Sequence, residues 1–599
     1  MSLFVKKTIG EVQEDLADPE RSLKRELSAW DIAVMGVAVA VGAGIFSVGA
    51  QAAAKYAGPA VIVSFLIAAV VCGLAVMNYA EFASTIPVSG SAYTFSYVSL
   101  GELIAWIIGW DLILEMLMAA SVISKYWGIY VHNVFQFLHI DLPTEIPIGG
   151  LTASWPPVLI VALFTVLLVL GTKLTSRVNG VLTVIKIGIT LFIIVAGSFY
   201  VKAANFTPFL PPAEPSGTDA SGVMTQSLFA FLAGTEPTRY GVYGLLGAAA
   251  LVFFAFIGFD IVATTAEEAK DPQRTLPRGI FGGLALVSLL YVAVTIVVTG
   301  MVSYKEMAQE KSPSLATAFR LVGANWVGTI ITIGILIGLT TVIMVLLLGL
   351  ARVVFAMSRD GLLPRGLSHT SSRGTPARLQ ILCGVIVAII AAFADVDQLS
   401  EMINIGTLSA FVLVSFAVPV LRRRYPDLKR GFTVPWSPTL PIISGVLCLW
   451  LMANLAVETW LRFVVWLLVG LTIYFGYSYR HSRARLDQDE GLPGTGGERT
   501  GAGRWTVVAG LLVALALVAV LGSSAVLLMS PGGVAAMSTT AVWSLILGPV
   551  PGIVAGHLAL SRTGSVSTRS RTIQAVLAVG YGTAAVAVVV GILHAIAVL

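Results

Sequence analysis

Fifteen apolar runs, most near the roughly 20 residues that cross a bilayer, leave this 599-residue chain few folds other than a bundle of membrane helices. They lie at about 30–54, 59–84, 101–131, 155–172, 177–201, 244–266, 279–301, 323–356, 379–394, 398–421, 440–456, 460–479, 505–529, 539–560 and 573–598, and the ninth is short. Hydrophobic residues make up 57% of the chain and charged residues 12%, with a mean hydropathy of +0.88. That balance excludes a soluble globular protein of this size. Nothing alternates with period 2 over ten-residue segments, so a β-barrel is not indicated. The first 27 residues are polar and lack a signal-peptide core, which predicts that the first run is a retained span. Cys72, Cys383 and Cys448 each sit inside an apolar run, and the histidines have no metal-ligand spacing. No metal, cofactor or nucleic-acid partner is expected. The lipid bilayer is the expected environment, for a monomer or weak dimer.

Basic residues set the orientation. With the N-terminus inside, 27 of the 37 Lys and Arg residues fall on the cytoplasmic side and 8 outside. The expected organisation is a cytoplasmic N-terminal segment (1–29), five spans (30–201), an extracellular loop (202–243), five spans (244–421) and two more (422–480). A cytoplasmic linker (481–504) and accessory C-terminal helices (505–599) follow. Five is odd, so the two groups of five enter the membrane from opposite sides as an inverted repeat.

Each group opens on an interrupted helix. In the first span Val41-Gly42-Ala43-Gly44-Ile45-Phe46 places two glycines at mid-membrane depth. The sixth carries Phe253-Phe254-Ala255-Phe256-Ile257-Gly258-Phe259-Asp260. Freed backbone groups survive at that depth only inside protein or beside a polar cavity. A half-helix restarting near Gly44 would turn unpaired N–H groups and a positive dipole end inward, suited to a carboxylate. Close helix packing is the plainer use of such glycines. Matching breaks at the head of two inverted halves point to a transporter's central site.

Ionisable groups at such depth cost on the order of 2.5–3.5 kcal/mol and call for a reason. Lys186 lies about 15 Å into the fifth span and Glu115 about 20 Å into the third, at 1.5 Å per residue. Both spans run outward, so the two could pair, with Asp111 one turn from Glu115 on the same face. Burial opposes both charges while pairing supports them, a balance that lets Lys186 and Glu115 handle a proton; a purely structural ion pair is the alternative. Asp260 either caps the restarted sixth helix or touches substrate.

These stretches resemble the amino acid–polyamine–organocation superfamily and, within it, the cationic amino acid transporter family. The match runs through Gly42–Phe46, Asn78-Tyr79-Ala80-Glu81-Phe82, Ser89–Tyr93, Gly109–Glu115, Phe256–Asp260 and Ala351–Pro364, covering about residues 25–480. The resemblance implies an all-α polytopic membrane protein with the LeuT-type 5+5 inverted repeat, two further core helices and about three extra C-terminal ones. It also implies a substrate amino acid held between the first and sixth helices. Its carboxylate would lie on backbone N–H groups around Ala43, Gly44 and Ile45 and its ammonium on carbonyls near Phe254, Ala255 and Ile257, with Ala40, Gly42, Asp260 and Leu346 also in the substrate site. Lys186 matches the lysine that stands in for a sodium ion in proton-coupled relatives, and Glu115 its neighbouring acid. Ala43 departs from the hydroxyl residue or glycine common at that position.

The function this implies is amino acid uptake driven by protons. An exchanger with Lys186 as a fixed cation, or a receptor that binds without transporting, stays open. Nothing supports an enzyme: there is no intramembrane aspartate pair with protease-like flanks and no Ser/His pair at one depth. By the family alignment Leu346 in the eighth span limits the side-chain space. A branched apolar residue there offers no partner to a buried cation, which favours neutral amino acids of small to medium size over arginine or lysine.

Overall fold

The computed structural model describes residues 28–483, except 43, 86–90, 138, 141–142, 149–150, 171–175, 216–225, 235–237, 260–261, 263–268, 311–312, 370–375 and 395. The three C-terminal runs, most of the linker and the N-terminal segment lie outside the described residues. The twelve runs predicted up to residue 479 each correspond to a helix or a broken helix. Among the described residues, six helices are long and apolar enough by themselves to cross a membrane, and six shorter apolar helices accompany them. The only sheet structure described is two small two-stranded pairs, one of them Glu145–Ile148 with Leu151–Ser154.

The first span begins at a capping box. Ser28 Oγ accepts from the Asp31 backbone N–H at 3.3 Å, and Asp31 Oδ2 accepts from the Ser28 N–H at 2.8 Å. Helix α1 (Ala29–Ala40) then stops, and Val41 and Gly42 form a bend. The chain restarts as a π-helical turn at Gly44–Val48, passes through Gly49–Ala52 and a second π turn at Ala53–Ala57, and enters α2 (Val61–Thr85) after a 3-10 turn. There follow α3 (Ser91–Ser99), α4 (Glu102–Phe137), α5 (Trp155–Leu170) and α6 (Ser176–Ser198).

After the second small strand pair comes α7 (Gly241–Val252), which tightens into a 3-10 turn at Phe253–Phe256. Beyond it lie α8 (Pro272–Met301), α9 (Asn325–Arg359), α10 (Ala377–Phe393), α11 (Val396–Arg424), α12 (Thr439–Ala453) and α13 (Val457–Ile473). Both breaks predicted from the glycines are present.

Contacts divide the chain into two units. The larger holds the described residues of 6–214 and 238–455, with α4 packed along α9 and α11, and α8 along α1 and α2. Its interior is apolar, and its lipid-facing flanks show large exposed side chains such as Leu159, Val184 and Leu289, as a bilayer requires. The smaller unit holds the described residues of 215–237 and 456–483, so the two helices that follow α11 fall in different units. Within it the Val457 N–H donates to the Gln226 carbonyl at 3.0 Å, and Arg462 pairs with Glu458 at 2.9 Å on α13.

One buried ion pair ties α2 to the end of α11. Glu81, fully buried, accepts from Arg422 Nε at 2.7 Å and Nη2 at 2.5 Å, and from the Val434 N–H at 2.7 Å. Arg430 Nε stands 3.8 Å from the same carboxylate. Bidentate geometry makes this a strong link, but removing one partner strands the other. We expect Arg422→Ala to lower stability by about 3–5 kcal/mol, seen as a lower thermal midpoint in detergent. Adding Glu81→Gln removes the stranded charge and should recover part of that loss; a double variant that melts below Arg422→Ala would show that the pair is not what holds these segments.

Candidate functional site

A helix that stops inside an apolar bundle leaves carbonyls without intrahelical partners, and their fate defines the site. At the end of α1 the Val41 N–H reaches the Val37 carbonyl at 2.9 Å. The Ala38 carbonyl accepts from Lys186 Nζ at 2.7 Å, across from α6. The Ala40 carbonyl lies 2.5 Å from Tyr291 Oη on α8. That same hydroxyl lies 2.7 Å from the Ala255 carbonyl, in the 3-10 turn that ends the first part of the other broken helix. One turn earlier the Leu251 carbonyl accepts from Asn404 Nδ2 of α11 at 3.1 Å. On the restarted side of the first break, Tyr130 of α4 donates to the Phe46 carbonyl at 3.3 Å and lies 3.2 Å from Ser47 Oγ.

The two breaks pack directly on each other. A Cβ built on Gly44 would fall 2.6 Å from the Ala255 Cβ and closer still to its Cα, so only glycine admits this approach. Ile257 is extended, with ψ 141°, and Gly258 has φ +113°, a conformation that penalises any side chain. A Cβ there would also strike Val39 of α1. Beneath the contact Phe65, Phe256 and Tyr291 form a cluster with ring centroids 5.3–6.4 Å apart.

The predicted backbone sites thus come together. Ala40 closes α1, Gly42 lies in the bend, Gly44 and Ile45 open the restarted turn, and Phe254, Ala255 and Ile257 form the facing break. All are buried. The Phe254 carbonyl is taken by the Ile257 N–H at 3.3 Å. Ala43 and Asp260 lie outside the described residues. Helix α9 meets the first break through Val342, whose Cγ2 is 3.7 Å from a Cβ built on Gly42; Leu346, one turn on, is buried.

Lys186 and Glu115 are both buried, but among the described residues no ion pair joins them. Lys186 instead meets the negative end of α1, its stem against Gly338 of α9, where a Cβ would lie 3.3 Å from Lys186 Cε. Glu115 faces Gly406 of α11, where a Cβ built on the glycine would lie 3.8 Å from Glu115 Cβ. Similar depth on two helices does not by itself bring two side chains together, and the ammonium here meets a freed carbonyl. Sequence reasoning missed Tyr291, Asn404 and Tyr130. The available signal was a tyrosine hydroxyl and an amide inside apolar runs, groups that need a partner once buried.

Two interrupted helices, back to back inside a bundle of apolar helices, define a multi-pass membrane protein with a central polar backbone site. The chain belongs to the amino acid permease family, whose model matches residues 27–477. It is a member of the amino acid–polyamine–organocation superfamily that resembles the cationic amino acid transporters, a family of permeases and not of enzymes. Similar proteins include a branched-chain amino acid permease of Bacillus subtilis, 42% identical over 80% of this chain and 99% of that protein. A methylthioribose transporter of the same organism is 40% identical over the same shares. A vacuolar cationic amino acid transporter of Arabidopsis thaliana is 36% identical over 71% of this chain and 68% of its own length.

Tyr291→Phe keeps the ring cluster and removes the hydroxyl whose single hydrogen is shared between the two breaks. Losing that one donor from a buried carbonyl pair costs about 1–3 kcal/mol. We expect a lower thermal midpoint of that order and weaker substrate binding, while Tyr291→Leu, which also loses the ring, should fall further. Equal stability of Tyr291→Phe and wild type would remove the hydroxyl bridge from this account.

Proposed function

We propose that this protein is a secondary active transporter that takes up amino acids across the cytoplasmic membrane, driven by protons. In this reading the substrate sits between the two breaks and is exposed to each side in turn, within the LeuT-type 5+5 inverted repeat, and the N-terminus is cytoplasmic. The observation that carries the proposal is the Gly44–Ala255 approach, which sets a restarted helical turn beside a second interrupted helix deep in the apolar interior. The N–H groups at Gly44 and Ile45 suit a carboxylate, and carbonyls near Phe254, Ala255 and Ile257 suit an ammonium. Both groups of an amino acid thus meet backbone, which leaves the side chain to set selectivity.

Gly44→Leu would drive a side chain into the Ala255 backbone. We expect this variant to part the two breaks, lowering the thermal midpoint, and to lose amino acid binding by isothermal titration in detergent, whereas a variant that still binds would take Gly44 out of the site. Amides and esters of the preferred substrate, lacking its charge, should compete about ten- to a hundredfold less well, the loss of one charge-assisted hydrogen bond worth roughly 1.5–3 kcal/mol. Equal competition by an amide would take the carboxylate out of the site. The methylthioribose transporter among the relatives gives a specific reason for a second reading, a neutral sugar substrate, and the same panel with methylthioribose decides between them.

Proton coupling is assigned to Lys186 and Glu115. Lys186 holds α1 through the Ala38 carbonyl, so gain or loss of its proton alters the grip on the half-helix that must move. Lys186→Met should reduce acid-stimulated accumulation in proteoliposomes about tenfold or more, a coupling of about 1–3 kcal/mol. An unchanged pH profile would make the lysine a fixed structural cation and favour an exchanger.

Neutral amino acids of small to medium size fit the apolar side chains at Val342 and Leu346, and one relative is a branched-chain permease. Adding or removing a methylene in such a pocket changes affinity by about 1–3 kcal/mol, so selectivity should be broad. Leu346→Ser is expected to admit larger or cationic substrates in an uptake panel. Tight arginine binding by the wild type, unaffected by this change, would move the specificity to Asp260.

A further inference from the structure

One buried acid takes no part in the site above. Asp111 lies on α4, fully buried, where that helix packs on α11. Its Oδ2 is 2.5 Å from Ser409 Oγ, and Ser409 Oγ is 2.8 Å from the Gly406 carbonyl oxygen. Its Oδ1 is buried and has no hydrogen-bond partner among the described residues.

Hydrogen counting separates two states of this triad. A serine hydroxyl has one hydrogen, and a carbonyl has none to give. If Asp111 is ionised, the carboxylate draws that hydrogen, the Gly406 contact is left without one, and Oδ1 carries negative charge with no donor near it. If Asp111 is protonated, its Oδ2–H donates to Ser409 and Ser409 donates to Gly406, so both short contacts hold a hydrogen and no bare charge is buried. A buried carboxylate without a cation is the costlier state.

The charged and titratable groups on the surrounding elements leave that balance in place. On α9, Arg352 and Arg359 are exposed, as is Arg378 on α10. On α11, Glu401 and Asp397 precede Ser409 by about 12 and 18 Å along the helix, and Arg422, about 20 Å beyond it, is committed to Glu81. On α3, Tyr93 donates to Asp360 and Tyr97 to Glu102. Cys383 is the thiol on α10, and α5 has no ionisable residue. On α4 itself Glu115 stands one turn away, facing the same Gly406. Among the described residues none of these forms an ion pair with Asp111.

We propose that Asp111, positioned by Ser409, is a further proton-binding group of this transporter, which keeps its proton while α4 and α11 are in contact and releases it when they part. On release the carboxyl O–H bond breaks, its electron pair stays on the carboxylate, and the proton passes to water entering between the helices. Ser409 then turns its hydrogen from Gly406 to Asp111. The inference rests on the proton-coupled reading, and it ties the proton to an interface instead of to the substrate cleft.

The test uses the full chain in proteoliposomes, as wild type, Asp111→Asn and Ser409→Ala. Two quantities are read with a neutral amino acid that the wild type transports: counterflow exchange without a gradient, and accumulation under an imposed inward proton gradient. Asparagine stands in for the protonated acid and cannot release a proton. The ratio of gradient-driven accumulation to counterflow should therefore fall about tenfold, with a flattened pH profile. Ser409→Ala should keep the pH dependence but move its midpoint by about 0.5–1 pH unit, the size of one hydrogen bond.

A wild-type ratio and pH profile in Asp111→Asn overturns the proposal, as does equal loss of exchange and accumulation, which marks a structural role. Should Asp111→Asn fail to fold, an unmoved midpoint in Ser409→Ala overturns it alone. Wild-type uptake indifferent to the gradient removes proton coupling itself and this inference with it. A responsive wild type with an indifferent Asp111→Asn removes only this inference.

Discussion

Everything at the centre of this protein depends on one constraint: backbone carbonyls released where two helices stop cannot turn to water. In an apolar interior each such group needs a donor or carries a penalty of a few kcal/mol. Four surrounding helices supply the answer with one side chain apiece: Lys186 from α6, Tyr291 from α8, Asn404 from α11 and Tyr130 from α4. These side chains hold the breaks open as breaks. Without them continuous helices would be the cheaper structure, and no backbone would be left for a substrate. The placement of the helices around the centre follows from the same need, since each must bring its donor to a fixed point.

Lys186 shows how one side chain meets two demands. Its ammonium caps the negative end of α1, a favourable position for a cation, while its stem fills the space that Gly338 leaves on α9. Packing and electrostatics therefore converge on the short helix that a transport cycle has to move. Glu81 plays a comparable role at the far end of α2. Its pairing with Arg422 and with the Val434 N–H fastens a helix to a connecting segment through charge-assisted bonds and not through apolar area alone.

Much of this was legible in the sequence, for identifiable reasons. Apolar runs mark spans because a bilayer has a fixed thickness, and twelve of them appear as helices or broken helices. Gly42 and Gly44 marked the first break, and Phe253–Asp260 the second, because glycine and a polar residue at mid-depth have few other uses. The depth of Lys186 announced a buried cation, but its partner could not be read. A freed carbonyl belongs to any residue type, so Ala38 carries no mark of its role. Tyr291 was hidden for a related reason. Apolar spans contain many polar residues that bond to their own helix, as Thr295 does to the Tyr291 carbonyl at 2.7 Å. Sequence alone does not separate those from the one hydroxyl that reaches across to two other helices.

The contact between Gly44 and Ala255 has a mechanical consequence. Interlocked side chains make a ratchet, because one helix passes another only when rotamers unlock and voids open. At this one point the two interrupted segments meet through bare backbone and a single methyl group, while Val39 and Phe259 supply side-chain contacts to either side. The Gly44–Ala255 point has no rotamer to release, so it serves as a plain bearing about which small rotations need only the flanking side chains to adjust. Close approach and ease of sliding come from the same absence of side chains. Any larger residue at either position would add a tooth to the bearing and a barrier to each turnover.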